Sequence, residues 1–286
     1  MEMREARVKC LSAEGFHQMA YVEWGAAANP RVLVCVHGLT RCSRDFDFLA
    51  QALAADYRIV CPDVAGRGRS DWLRNKSLYD LPQYCADMTT LLARLNVETV
   101  HWVGTSMGGL IGMALASQPG SPVARLVLND IGPVLSAASL VRVGEFLGKA
   151  PRFDGIEQAE AFVRFVSAPF GSLSDAQWRH LTVHLLRTAA DGKLEFTYDP
   201  GIAQPYRERQ ATSGGKDIEL WPLYDAITCP TLLLRGATSD VLAHETALAM
   251  SRRGPRARLV EVAGVGHAPM LLDAAQIAPV REFLLA

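Results

Sequence analysis

His101–Gly112 reads HWVGTSMGGLIG: an apolar, β-branched run breaks at Gly-Thr-Ser-Met-Gly-Gly, and a helical pattern resumes beyond it. A buried strand followed at once by a helix must turn sharply, and Ser106 stands at that corner. Held there in a strained backbone, its hydroxyl would project past the carboxyl edge of a sheet. Gly104 and Gly108 suit places where strand and helix pass too close for a side chain. The new helix points its unpaired N–H groups and the positive end of its dipole at the same spot. That makes the Met107 N–H a candidate oxyanion donor.

A strand running into Gly-x-Ser-x-Gly and then a helix is the nucleophile elbow pattern. A phosphate-binding loop would need Gly-Lys-Ser or Gly-Lys-Thr, and no lysine is present here. A serine hydroxyl needs a base, and the chain has 7 histidines. His267, in EVAGVGHAPML, follows a strand in a glycine-rich loop and is the expected base. His37, in CVHGLTR, ends another strand; its expected role is to hold a turn that aims the Leu39 N–H at the same oxyanion. His180 and His184 lie four apart on an expected helix, but HLTVH lacks the glutamate of the HExxH zinc motif, so no metal is expected.

The base in turn needs a carboxylate to fix its tautomer. Two aspartates end strand patterns: Asp130 in LVLNDIGP and Asp240 in LLLRGATSDVL. Asp240 is the expected partner, because its loop would neighbour the histidine loop if consecutive strands pair. Asp130 is expected to order the junction that follows it.

Outward from the corner, strand patterns at 18–25, 31–38, 57–63, 98–104 and 124–130 are interleaved with helical ones at 81–95 and from about 107 to 117. Continuous apolar strands between helices predict a mainly parallel sheet covered on both faces. From about 133 to 224 the chain reads as helical or irregular, with no convincing strand. Alternation returns at 231–236, 245–252 and 257–264, with a last helix near 274–285. The expected organisation is an α/β core from residues 1–132 and 225–286, interrupted by a helical lid at 133–224.

With 286 residues, 49% of them hydrophobic, the chain can bury a large core. Its net charge of −1 and the absence of like-charge blocks argue against nucleic acid or an anionic membrane as partner. The 6 cysteines show no metal-ligand spacing, and several sit in apolar runs. No signal core or membrane-length apolar stretch is evident, so a cytoplasmic location is expected.

Taken together, VHGLTR, CPDVAGRGRSD, GTSMGG, LVLNDIGP, LLLRGATSDVL and GVGHAPML resemble, in order and separation, the motifs of the α/β-hydrolase fold family. The resemblance is to its small members with a helical lid, and it covers nearly the whole chain. It implies Ser106 as nucleophile, His267 as base, Asp240 as orienting acid, and the N–H groups of Leu39 and Met107 as oxyanion hole. It implies no cofactor and a small carboxylic ester or lactone as substrate, cleaved through an acyl-enzyme. Carbon–carbon hydrolysis of the meta-cleavage type and slow-turnover ligand reception are the rival readings. HGLTRC departs from the HGxGPG loop usual in meta-cleavage hydrolases. A serine nucleophile argues against haloalkane dehalogenase and epoxide hydrolase activity.

Arg41 is a candidate for binding a substrate carboxylate, against the alternative of an internal ion pair with Asp45 or Asp47. Arg67 and Arg69 are expected to be structural or solvated. Phe146, Phe153, Phe162, Phe165, Phe170 and Trp178 are expected to form mostly the lid's own small core.

Overall fold

The architecture comes from a computed structural model, which describes residues 2–286. In chain order the main sheet takes β1 (Arg4–Ser12), β2 (Gly15–Trp24), β3 (Val32–Val36), β4 (Arg58–Pro62), β5 (Val100–Thr105), β6 (Val123–Asn129), β7 (Thr231–Gly236) and β8 (Arg258–Val262). The strands lie side by side in the order β1-β2-β4-β3-β5-β6-β7-β8. From β4 to β8 every pairing is parallel, while β1 and β2 form an antiparallel hairpin at one edge. The sequence reading missed β1, whose alternating exposure is that of an edge strand with one wet face.

Helices α1 (Asp47–Leu53), α2 (Leu81–Leu95) and α3 (Met107–Ala116) follow strands of the first half; α9 (His244–Met250) and α10 (Ala274–Leu285) follow those of the second. Tyr84, Met88 and Leu91 of α2 and Ile111 and Met113 of α3 pack with Val34, Val60 and Trp102 on one face of the sheet. Leu49 and Leu53 of α1 and Ile277, Val280 and Leu284 of α10 pack with Leu33, Cys35 and Val103 on the other. Both faces are therefore dry, which is why β3 reads as an unbroken apolar run. Helix α2 starts where Asp80 accepts the Gln83 N–H at 3.0 Å, and it stops at Asn96, whose φ of 54° is left-handed.

Between β6 and β7 the chain runs through α4 (Ala137–Phe146), α5 (Ile156–Val166), α6 (Asp175–Val183), α7 (Ala203–Ser213) and α8 (Trp221–Asp225). The segment is not wholly helical. Val134–Leu135 pairs with Ile218–Glu219 where it leaves and rejoins the core, and Arg152–Phe153, Leu194–Phe196 and Leu186–Thr188 make a small antiparallel sheet. The run AQWRHLTVHLLRTA thus ends as helix at Val183, and Leu186–Thr188 becomes a strand. A turn through Gly192, whose φ is 82°, folds the next strand back onto it. Tertiary pairing outweighs the helical periodicity there.

Candidate active site

Ser106 occupies the corner between β5 and α3, with φ 52° and ψ −115°. This is a sparsely populated conformation for a residue with a side chain. It is held because the Ser106 N–H donates to Asn129 O at 3.0 Å, while its own carbonyl accepts the N–H groups of Gly109 and Leu110. A Cβ on Gly104 would run into the Gly108 carbonyl, and one on Gly108 into the Val36 carbonyl. The Trp102 indole donates to Gly108 O at 3.0 Å, pinning helix to strand.

His267 reaches this corner from the loop after β8. Its Nε2 lies 2.9 Å from Ser106 Oγ and its Nδ1 lies 2.8 Å from Asp130 Oδ2. Asp130 is fully buried. Its Oδ1 accepts the Gly236 N–H at 2.9 Å, and its Oδ2 also accepts the Ser239 hydroxyl at 2.6 Å. An acceptor with no proton of its own on Nδ1's side makes that nitrogen the donor, leaving Nε2 free to take the serine proton. The arrangement can therefore generate a serine alkoxide and shuttle its proton.

The structure corrects the expected acid. Asp240 does not meet His267: its side chain is 48% exposed and pairs with Arg142 of α4, Nη2 to Oδ1 at 3.0 Å. The reason is register. Thr105 of β5 pairs with Asn129 of β6, so the next residues, Ser106 and Asp130, leave adjacent strands at the same level. In the loop after β7 it is Ser239 that turns inward. The usable signal was that Asp130 directly follows its strand, as Ser106 does, whereas Asp240 lies further along a loop.

Leu39 and Met107 both line a cavity of about 480 Å³ that opens onto Ser106 and His267. Met107 is the first residue of α3, so its N–H has no acceptor within the helix. His37 is wholly buried and keeps the neighbouring turn: its Nδ1 donates to Gly38 O at 2.7 Å, and its Nε2 accepts the Val64 N–H at 3.0 Å. Burial, reinforced by the charge of Arg67, pulls its pKa down to about 4 against the favourable bond to Gly38 O, so the ring is neutral.

Arg41 also lines the cavity, but its guanidinium is already held by Asp45 through a fork of 2.8 and 2.6 Å. The ion-pair alternative is the one found, and Asp45 already neutralises the charge that a substrate carboxylate would need. The inserted segment supplies much of the remaining wall, including Leu140, Phe146, Phe162, Phe170 and Tyr206. Phe153 and Trp178 are instead buried, and Phe165 is exposed.

Among the described residues two groups have metal-ligating atoms within 4.8 Å of one another: Asp47 with His180 and His184, and Cys10 with His17 and Asp87. Neither group lines the cavity. His180 Nε2 donates to Arg44 O at 3.0 Å, and Arg44 also holds Asp47 at 2.8 Å, so a cation already occupies the carboxylate of the first group.

The sequence profile of the α/β-hydrolase fold matches residues 31–274. A 3-hydroxybutyrate-oligomer hydrolase of Cupriavidus necator is 52% identical over 282 residues, 96% of each chain. An α/β-hydrolase structure from Novosphingobium aromaticivorans superposes with a TM-score of 0.86 at 33% identity, over 99% of this chain and 98% of the other. A structure from Rickettsia typhi superposes with a TM-score of 0.91 at 30% identity, over 100% and 99%.

Proposed function

The chain belongs to the α/β-hydrolase fold family and is a hydrolase; we propose that it cleaves short oligoesters of hydroxyalkanoic acids through a Ser106 acyl-enzyme. The observation that carries this reading is the unbroken hydrogen-bonded series Asp130–His267–Ser106, whose last two members line a largely apolar cavity.

In the first step Ser106 Oγ attacks the ester carbonyl as its proton passes to His267 Nε2. The tetrahedral oxyanion is received by the N–H groups of Leu39 and Met107, a kind of contact worth roughly 3 kcal/mol per donor. His267 then returns the proton to the departing alkoxide. Water, deprotonated by the same imidazole, cleaves the acyl-enzyme, and Ser106 recovers its proton. Asp130 keeps Nδ1 protonated and offsets the imidazolium charge at each stage. The inserted segment serves as the lid that excludes bulk water.

The substrate class is supported by the likeness to the 3-hydroxybutyrate-oligomer hydrolase of Cupriavidus necator and by the charge of the wall. Arg41 and Asp45 neutralise each other, Arg142 is matched by Asp240, and Lys149 and Arg209 form no ion pair among the described residues. Asp80, the other acid on the wall, caps α2. Apolar surface with surplus positive charge suits an acid whose stem is a hydrocarbon ester. All 6 cysteines are free and no helix among the described residues is long and apolar enough to cross a membrane; a reducing cytoplasm accords with both.

The test is hydrolysis of a linear 3-hydroxybutyrate trimer, followed by chromatography of the released acid. The wild type should cleave it, and Ser106→Ala should lower kcat by roughly four orders of magnitude. Turnover of p-nitrophenyl butyrate without any trimer cleavage overturns the substrate class; substantial activity in Ser106→Ala overturns the mechanism.

A further inference from the structure

Arg67, in the GRGRS stretch, was expected to be merely structural or solvated. It is fully buried and belongs to none of the ion pairs among the described residues. Its guanidinium donates only to neutral groups: Nε to Leu39 O at 2.8 Å, and Nη1 to Ala65 O and to Tyr84 Oη, each at 2.7 Å. Nη2 lies 3.7 Å from Met107 Sδ. The rings of Tyr79 and Tyr84 flank it, with centroids 5.5 and 5.1 Å from Cζ. One side chain thus touches both residues whose N–H groups are assigned to the oxyanion.

A buried cation without a counter-charge is costly, and an apolar side chain of similar volume would ordinarily pack there at lower cost. Here the compensation comes from carbonyl dipoles, a phenol and two aromatic faces, which solvate the guanidinium without cancelling its charge. A carboxylate in their place would extinguish the field. Arg67 also helps hold the buried His37 neutral, so its potential extends into the turn that carries Leu39.

We propose that Arg67 is a positioning residue for the oxyanion hole, fixing the Leu39 and Met107 segments and setting a positive potential behind them that favours the anionic tetrahedral intermediate. The proposal rests on the serine-hydrolase reading above. A preorganised charge of this kind acts on the transition state more than on the neutral ester, so it affects kcat more than KM.

The test uses Arg67→Met, which removes the charge, Arg67→Lys, which keeps it on fewer donors, and butylboronic acid as probe. Ser106 Oγ adds to the trigonal boron while its proton goes to His267, giving a tetrahedral boronate anion in the place of the intermediate. Arg67→Met should lower kcat on p-nitrophenyl butyrate roughly 10- to 100-fold and raise the boronate inhibition constant in parallel. Its KM should shift by less than about threefold, and Arg67→Lys should recover part of both losses. A folded Arg67→Met enzyme with wild-type boronate affinity overturns the proposal. If that variant does not fold, Arg67→Lys and Tyr84→Phe take its place: each should raise the boronate constant by about threefold or more, and wild-type constants in both overturn it. Ser106→Ala, which should abolish boronate binding, separates the cases. Retained binding there means the nucleophile itself is wrong, and this proposal falls with it.

Discussion

Ser239 and His267 share one oxygen of Asp130: the hydroxyl at 2.6 Å and the imidazole Nδ1 at 2.8 Å both meet Oδ2. The loop after β7 therefore furnishes a hydrogen bond to the acid rather than the acid itself. Asp130→Asn should lower kcat on p-nitrophenyl butyrate by roughly 10³- to 10⁴-fold, because an amide can stabilise the wrong imidazole tautomer. Asp240→Asn, which breaks a half-exposed ion pair worth roughly 1 kcal/mol or less, should leave kcat within about threefold. Steady-state kinetics of the two variants decide the matter, and the reverse ranking would falsify the assignment.

Ser239→Ala tests the shared oxygen directly. Besides Asp130, the hydroxyl accepts the N–H groups of Val241 and Leu242 at 3.2 and 3.1 Å, so its loss loosens the turn as well as the carboxylate. With one of its hydrogen bonds gone, the buried carboxylate should be held less firmly against His267, and kcat should fall roughly 3- to 30-fold. An unchanged rate would show that the Gly236 N–H alone suffices.

Stability should fall with acid through His37. Its folded pKa of about 4 lies below the ordinary value of 6.5, so the unfolded chain binds this proton first. The neutral ring's contribution is therefore complete above about pH 6.5 and is lost progressively as the pH drops towards 4. Complete loss amounts to about 3 kcal/mol. Urea unfolding at a series of pH values between 7.5 and 4.5 should show this decline in the wild type and a shallower one in His37→Gln, even though that variant starts from lower stability. Equal slopes would assign the acid sensitivity to other groups.

Arg209 is the sharpest test of the acidic-substrate reading. It lines the cavity from α7, and its charge, like that of Arg142, acts against the burial that pushes Tyr206 up to about 12. Given the trimer as free acid and as methyl ester, the wild type should prefer the acid in kcat/KM. Arg209→Glu should reduce that preference roughly 3- to 10-fold, with added salt producing a smaller change in the same direction. A wild type that treats the two forms alike would remove charge from the account of specificity.

Much of this protein was legible because its signals are local. The starts of α2 and α10 coincide with the caps Asp80 and Asp273, and the elbow glycines follow from a corner that leaves no room for Cβ atoms. The β1 edge strand and the strand at Leu186–Thr188 were missed because their partners, not their own composition, make them strands. For Arg41 the sequence offered two readings, a substrate carboxylate or an ion pair with a nearby aspartate, and the fold chose the pair with Asp45. That Arg67 is a buried cation outside any ion pair among the described residues was not legible, because only its surroundings show it.

By itself the sequence determined the α/β class, the serine at the corner and the late histidine, since each depends on the residue types allowed in a short stretch of backbone. Which aspartate meets that histidine was decided by the tertiary structure alone. The register of β5 against β6 brings Asp130 level with Ser106, and the turn after β7 sends Ser239 inward and Asp240 out to Arg142. Hydrogen-bond geometry between segments far apart in the chain is a property of how strands align, and no single segment contains it.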